Sequence, residues 1–251
     1  MKINIVSGDK RYVALCQALS EQGYEACITT YDKVSFCDYL ILPIRQELSK
    51  AETEEAIIKS GDSSVILTGQ KNDIDKRHYQ RVIDYSLDEG LIIENAKLTA
   101  EATVSYIHSL TRESLAYKRV LVTGYGRIAK HLCPILKSLR ATVYVYARRE
   151  EVREQIKSDG FIAEDISFSR ESDIIINTVP ARIFSREAIE QIPQGAYIIE
   201  LASSPYGFEK MDRVSLASGL PGKILTGSAS KILLDTVISI LSKKETEDID
   251  I

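Results

Sequence analysis

Gly124, Gly126 and Ala129 stand at the spacing Gly-x-Gly-x-x-Ala, between the apolar run Arg119–Thr123 (RVLVT) and a helical pattern reaching Leu139. A turn of this kind, opening a helix after a strand, suits the pyrophosphate of a dinucleotide. The first glycine makes the tight turn and the second lets the backbone approach the phosphates. A small third residue keeps helix and strand close. The helix start, at Arg127 and Ile128, then offers N–H groups and the positive end of the helix dipole to the phosphates.

The end of the next strand bears on the type of dinucleotide. An NAD site places a carboxylate there for the ribose hydroxyls. Here the strand Thr142–Tyr146 (TVYVY) runs into Ala147-Arg148-Arg149, followed by Glu150. A guanidinium can grip a 2′-phosphate with two hydrogen bonds, whereas a carboxylate would repel it. The expected cofactor is NADP, with NAD the alternative. Asn177, Thr178 and Pro180, then Ala202, Ser203 and Ser204, and finally Gly219 and Pro221 lie in loops that follow later strands. Ligands of open parallel sheets bind outside the carboxyl ends of the strands, so these loops are candidates to complete the pocket. Ordinary turn chemistry would place the same residue types there.

The elements that must position these residues alternate between short β-rich runs and helical patterns. That order implies α/β layers around parallel sheets. Residues 1–93 read as a small open α/β domain, with strands at Ile3–Val6, Ala26–Thr30, Tyr39–Leu42 and Val65–Thr68. Its helices carry Val13, Leu15, Cys16 and Leu19 in one case and cover Ser49–Lys59 in the other. Its first turn holds one glycine, Gly8, which makes a poor nucleotide site. Residues 94–117 read as the connecting segment, its helix running over 99–117 with Thr99 as the cap. Residues 118–243 read as a Rossmann-type doubly wound parallel sheet, with further strands at Asp173–Asn177 and Ala196–Leu201. The helix Ser228–Leu241 closes it. Residues 244–251 form a charged, frayed tail. The apolar stripe of the closing helix either returns to the first domain or meets a second copy, so a homo-oligomer stays open.

The composition fits this reading. Of 251 residues, 44% are hydrophobic and 27% charged, close to the globular average. The net charge of −4 gives no electrostatic warrant for nucleic acid or an anionic membrane. No apolar run reaches the ~18 residues of a membrane helix. The amino terminus lacks a signal-peptide core, so the expected setting is cytoplasmic. Cys16, Cys27, Cys37 and Cys133 show no metal-ligand spacing with one another or with a histidine, and read as buried reduced thiols. No metal is expected.

Through residues 95–241 the chain resembles the dipicolinate synthase A-subunits of spore-forming bacteria. The resemblance is carried by Glu101 and Thr103, Gly124-Tyr125-Gly126-Arg127, Ala147-Arg148, Ile176-Asn177-Thr178-Val179-Pro180, Leu201-Ala202-Ser203 and Gly219-Leu220-Pro221-Gly222. It implies oxidation of a dihydrodipicolinate-type precursor to pyridine-2,6-dicarboxylate, during sporulation, together with a flavoprotein-like partner, the B-subunit. Two loops depart from the family: Ile44-Arg45-Gln46-Glu47 after Leu42-Pro43, and Ser204 with Tyr206 after Leu201-Ala202-Ser203.

A dianionic substrate calls for cationic clamps. Arg45 and Arg182, each just past a strand-end proline, are the candidates, and Ser203 and Ser204 would face the same substrate. Hydride transfer belongs to the cofactor, across a cleft between the two domains. Aromatisation of the ring lowers the need for a strong base; Glu101 and His108 on the connecting helix are the candidates if one is used. Two other readings stay open. One is an NADP-dependent dehydrogenase of another imino or hydroxy acid, against which stands the absence of any histidine after His131. The other is a non-catalytic NADP-binding subunit.

Overall fold

Strands rich in β-branched residues and leucine, the central ones buried on both faces, dictate a layered parallel architecture. The computed structural model describes residues 1–44, 47–209 and 212–249, with side chains as far as 243. The chain divides into two compact units, one of residues 1–95 with 225–251 and one of residues 96–224.

The first unit holds β1 (Lys2–Val6), α1 (Lys10–Glu21), β2 (Glu25–Thr29), β3 (Tyr39–Ile41), α2 (Lys50–Ser60), β4 (Val65–Thr68) and β5 (Val82–Asp84). All neighbouring strands pair parallel, in the order β2-β1-β3-β4-β5. Asp9 caps α1 by accepting from the Arg11 N–H. Ser49 and Glu52 form a reciprocal capping box on α2. On one side Ile3, Ile5, Tyr12, Leu15, Leu19 and Leu67 make a core. On the other, Val6, Leu40, Ala56, Ile57 and Ile66 make a second.

α3 (Glu89–Thr111) runs across the boundary between the units. It starts earlier and stops sooner than the expected connecting helix. Arg112 sits at φ 55°, a left-handed conformation that ends a helix, and Leu115 is buried beyond it. Thr99 is no cap: it lies buried mid-helix, its carbonyl accepting from Thr103 Oγ1 at 2.6 Å.

The second unit holds β6 (Arg119–Thr123), α4 (Arg127–Ser138), β7 (Thr142–Tyr146), α5 (Glu150–Ser158), β8 (Ile162–Glu164) and β9 (Ile174–Asn177). It continues with α6 (Arg186–Glu190), β10 (Tyr197–Glu200), β11 (Val214–Leu216) and α7 (Leu220–Ile224). Its sheet is parallel throughout, ordered β11-β10-β9-β6-β7-β8. Read from β8, this is the doubly wound order 3-2-1-4-5-6, whose direction reverses between β6 and β9.

Some expectations need correction. α8 (Thr226–Ile249), expected to close the second domain, belongs to the first unit: its Leu233, Val237 and Leu241 pack with Tyr12, Leu15 and Leu19. The helix also continues through the segment expected to be a frayed tail, as far as Ile249. On α1, Val13 is 55% exposed and Tyr12 takes the core position. Of the cysteines, Cys37 and Cys133 are buried, but Cys16 is only half-buried and Cys27, on the edge strand β2, is exposed. Among the described residues no helix is long and apolar enough to cross a membrane, and no group of His, Cys, Asp and Glu could hold a metal ion.

Candidate functional site

At the reversal point of the second sheet, the loops after β6 and β9 lie against each other. Gly124 adopts φ 87°, and a Cβ there would overlap Val179 Cγ2 and sit 2.9 Å from Thr178 Oγ1. This position therefore requires glycine twice over, for its backbone angle and for its neighbour. Gly126 differs: a Cβ on it would meet nothing within 4 Å. It is the N-cap of α4, and no side chain caps the helix in its place. The open space beside Gly126 and the uncapped helix start fit a pyrophosphate, which would bring its own acceptors to the first-turn N–H groups. Arg127 is exposed and Ile128 half-buried on that turn. The Tyr125 side chain turns into the fold, donating to Asp159 Oδ2 at 2.8 Å and meeting Phe161 edge-on. The loop is thus anchored by its middle residue while its glycines stay bare.

At the end of β7, Ala147 is buried and the chain continues into Arg148 and Arg149 before the first carboxylate, Glu150. Arg148 and Arg149 are exposed, with Arg149 the N-cap residue of α5. Glu150, the acidic residue beside them, pairs with Arg153 at 3.5 Å, one turn along α5. Its charge is directed to that helix.

Under the glycine loop lies a buried polar bracket that sequence reasoning missed. Thr123, Asn177 and Glu200, the last residues of β6, β9 and β10, are each fully buried. Thr123 Oγ1 donates to Asn177 Oδ1 at 2.6 Å, and Asn177 Nδ2 donates to Glu200 Oε1 at 2.7 Å. Glu200 Oε1 also accepts from the Ala202 N–H at 2.9 Å, and Oε2 from the Gly207 N–H at 2.7 Å. Burial pushes the Glu200 carboxyl above its ordinary range, and the donors from Asn177, Gly207 and Ala202 pull against that rise. The signal for it in the sequence is a carboxylate closing an otherwise apolar strand, AYIIE. Only a residue held by several donors is stable there.

The bracket also uses residues expected to bind cofactor. Besides its bonds to Thr123 and Glu200, Asn177 donates to the Val179 carbonyl and accepts from the Val179 N–H. Thr178 Oγ1 donates to the Thr123 carbonyl at 2.8 Å. Their side chains hold the loops, and what the loops present is Pro180 and Arg182, both exposed. The loop after β10 buries Ala202 and exposes Ser203 and Ser204. Gly219 takes φ 70° after β11, directly before α7, in which Pro221 is buried. Glu101 and His108 are exposed on α3, the His108 ring meeting the Glu113 carbonyl at 3.1 Å. Arg45 lies outside the described residues.

The comparisons with known proteins agree with this geometry. Residues 93–210 match the sequence model of the NAD binding domain of D-isomer specific 2-hydroxyacid dehydrogenases. With the doubly wound sheet, this match defines the class: the chain is an NAD(P)-dependent oxidoreductase. Along its whole length it is similar to the dipicolinate synthase A-subunit of Bacillus subtilis (strain 168), 22% identical over 291 aligned positions covering 99% of this chain and 98% of that one. The crystal structure of the dipicolinate synthase A-subunit from Bacillus halodurans shares the fold at TM-score 0.78, with 23% identity over 96% of this chain and 97% of that one. The crystal structure of its Bacillus subtilis counterpart does so at TM-score 0.79, with 22% identity over 98% and 97%. The resemblance read from the strand-end loops thus extends over the whole chain.

Proposed function

We propose that this chain uses NADP to oxidise a dihydrodipicolinate-type precursor to pyridine-2,6-dicarboxylate, as the nucleotide-binding subunit of a cytoplasmic assembly active in sporulation. The observation that carries the reading is similarity to the dipicolinate synthase A-subunit over 99% of this chain. Preference for NADP rests on Arg148 and Arg149, exposed where an NAD site would carry a carboxylate. That the relative is called a subunit supports a partner chain, expected to be the flavoprotein-like B-subunit.

The nicotinamide supplies the hydride acceptor, and the chain supplies binding and orientation. Gly126 and the first turn of α4 hold the pyrophosphate, and Arg148 and Arg149 bind the 2′-phosphate. Ser203 and Ser204 present hydroxyls to the dicarboxylate, with Arg182 as its clamp. Glu101, His108 or solvent would take the proton released on aromatisation of the ring. A 2-hydroxy acid is the weaker substrate reading, because no histidine follows His131 to serve as its acid–base group.

Calorimetric titration of the chain with NADP⁺ and NAD⁺, each repeated with pyridine-2,6-dicarboxylate, tests the proposal. NADP⁺ should bind more tightly, and the dicarboxylate should strengthen it. Replacing both Arg148 and Arg149 by Ala should weaken NADP⁺ by about tenfold or more and leave NAD⁺ within about twofold. Equal losses for the two nucleotides would sink the 2′-phosphate assignment.

A further inference from the structure

Resting on the substrate reading above, we propose that Glu200 is the positioning residue of the substrate loop. Its carboxylate fixes residues 201–207, and so Ser203 and Ser204, beside the nucleotide loop. Two of the three donors to Glu200 are the loop's own N–H groups, at Ala202 near its start and Gly207 at its end. One side chain therefore pins both ends of a four-residue excursion, 203–206, that carries the exposed serines. The third donor is Asn177 Nδ2, and Asn177 in turn accepts from Thr123, the residue immediately before Gly124. The loop after β10 is thus referenced to the same strand end as the glycine turn.

Packing points the same way. A Cβ on Gly207 would overlap the Asn177 side-chain amide, so the loop's end is seated directly on the bracket. The Gly207 carbonyl accepts from the Ile183 and Phe184 N–H groups at 2.8 and 2.9 Å, which ties that end to the chain following β9. Phe184 and Phe208 stack beneath it at 4.6 Å. Asn177, Ala202 and Gly207 all meet the Glu200 carboxylate as donors, so the site is built for an acceptor on both oxygens. A strand end that needed only to be covered would take a hydrocarbon, like its neighbours Ile198 and Ile199.

Glu200→Gln is the test, because it keeps size and burial but turns one acceptor into a donor facing a donor. Without ligand, hydrogen exchange at the Ala202 and Gly207 amides should rise at least tenfold, while the β6 and β9 amides keep their protection. With NADP⁺ saturating, the Kd of pyridine-2,6-dicarboxylate should rise about tenfold, with the NADP⁺ Kd within twofold of wild type. Unchanged exchange and unchanged dicarboxylate binding would overturn the assignment. So would equal losses of nucleotide and dicarboxylate, which mark a merely structural residue. If the wild-type chain binds NADP⁺ but no dicarboxylate, the substrate reading fails by itself. Exchange at Ala202 and Gly207 then still decides whether Glu200 sets the loop. Should the variant not fold, Gly207→Ala displaces the same loop through Asn177 with the carboxylate intact, and must give the same split.

Discussion

Gly124 and Gly126 are separated by one residue, yet the structure gives them different reasons for being glycine. At Gly124 the positive φ and the overlap with Val179 make any side chain a stability problem. Gly124→Ala should therefore cost about 1 to 3 kcal/mol in unfolding free energy. At Gly126 the backbone is extended and a methyl group meets no protein atom. Gly126→Ala should cost no more than about 1 kcal/mol of stability, the loss expected when alanine replaces an N-cap glycine. Its nucleotide affinity should fall by about tenfold, because the methyl occupies the phosphate's approach. Stability and affinity measured side by side on the two variants check the assignment. The glycine spacing was legible in the sequence because strand, turn and helix are contiguous there. The Thr123–Asn177–Glu200 bracket was not. Its members lie on strands far apart in the chain, and only the sheet order brings them together.

Helices and strands followed the same division. Strands with strong apolar runs, such as β1, β4 and β6, read within a residue of their observed limits. β5, β8 and β11, three residues each, were missed, since so short a strand carries almost no pattern and is fixed by pairing with a neighbour. On α1 an aromatic that joins two elements was overlooked. Tyr12 donates to Tyr85 Oη at 2.6 Å and accepts from the Ile44 N–H at 2.7 Å, while Tyr85 donates to the Leu42 carbonyl. The pair fastens α1 to the chain leaving β3. Burial pushes the Tyr12 phenol up to about 12. An acid whose folded pKa is raised keeps its full contribution below its unfolded value, near 10, and loses it as pH climbs toward the folded one. Tyr85, the buried partner of Tyr12, is raised for the same reason, so unfolding free energy should fall as pH climbs above 10. Tyr12→Phe should show a smaller drop, starting from a stability about 1 to 3 kcal/mol lower at pH 7, because the Ile44 N–H is left unpaired. Chemical denaturation across that pH range reads both.

The described residues form two parallel sheets, and the doubly wound character of the second was legible from the βαβ pattern around the glycine turn, whereas its order 3-2-1-4-5-6 was not, since it includes the missed β8 and β11. The membership of α8 was not, since a stripe of Leu233, Val237 and Leu241 shows that a helix is buried without showing against what. Its place on α1 makes the first unit discontinuous, built from residues 1–95 and 225–251. Ending the chain after Ile224 should leave the second unit folded and able to bind NADP⁺. It should uncover Tyr12, Leu15 and Leu19, with aggregation and lost hydrogen-exchange protection in α1 as the readout. Loss of nucleotide binding in that truncated chain would show that the second unit does not stand alone.

That discontinuity also sets an order of events at the ribosome. Residues 1–95 emerge first, but the helix that covers one side of their sheet is translated only after the whole nucleotide-binding unit. At roughly 5 to 20 residues per second, the first-made segment waits on the order of ten seconds for its last helix. During that wait its apolar face is available to chaperones, and the later-made unit can finish folding before the earlier one.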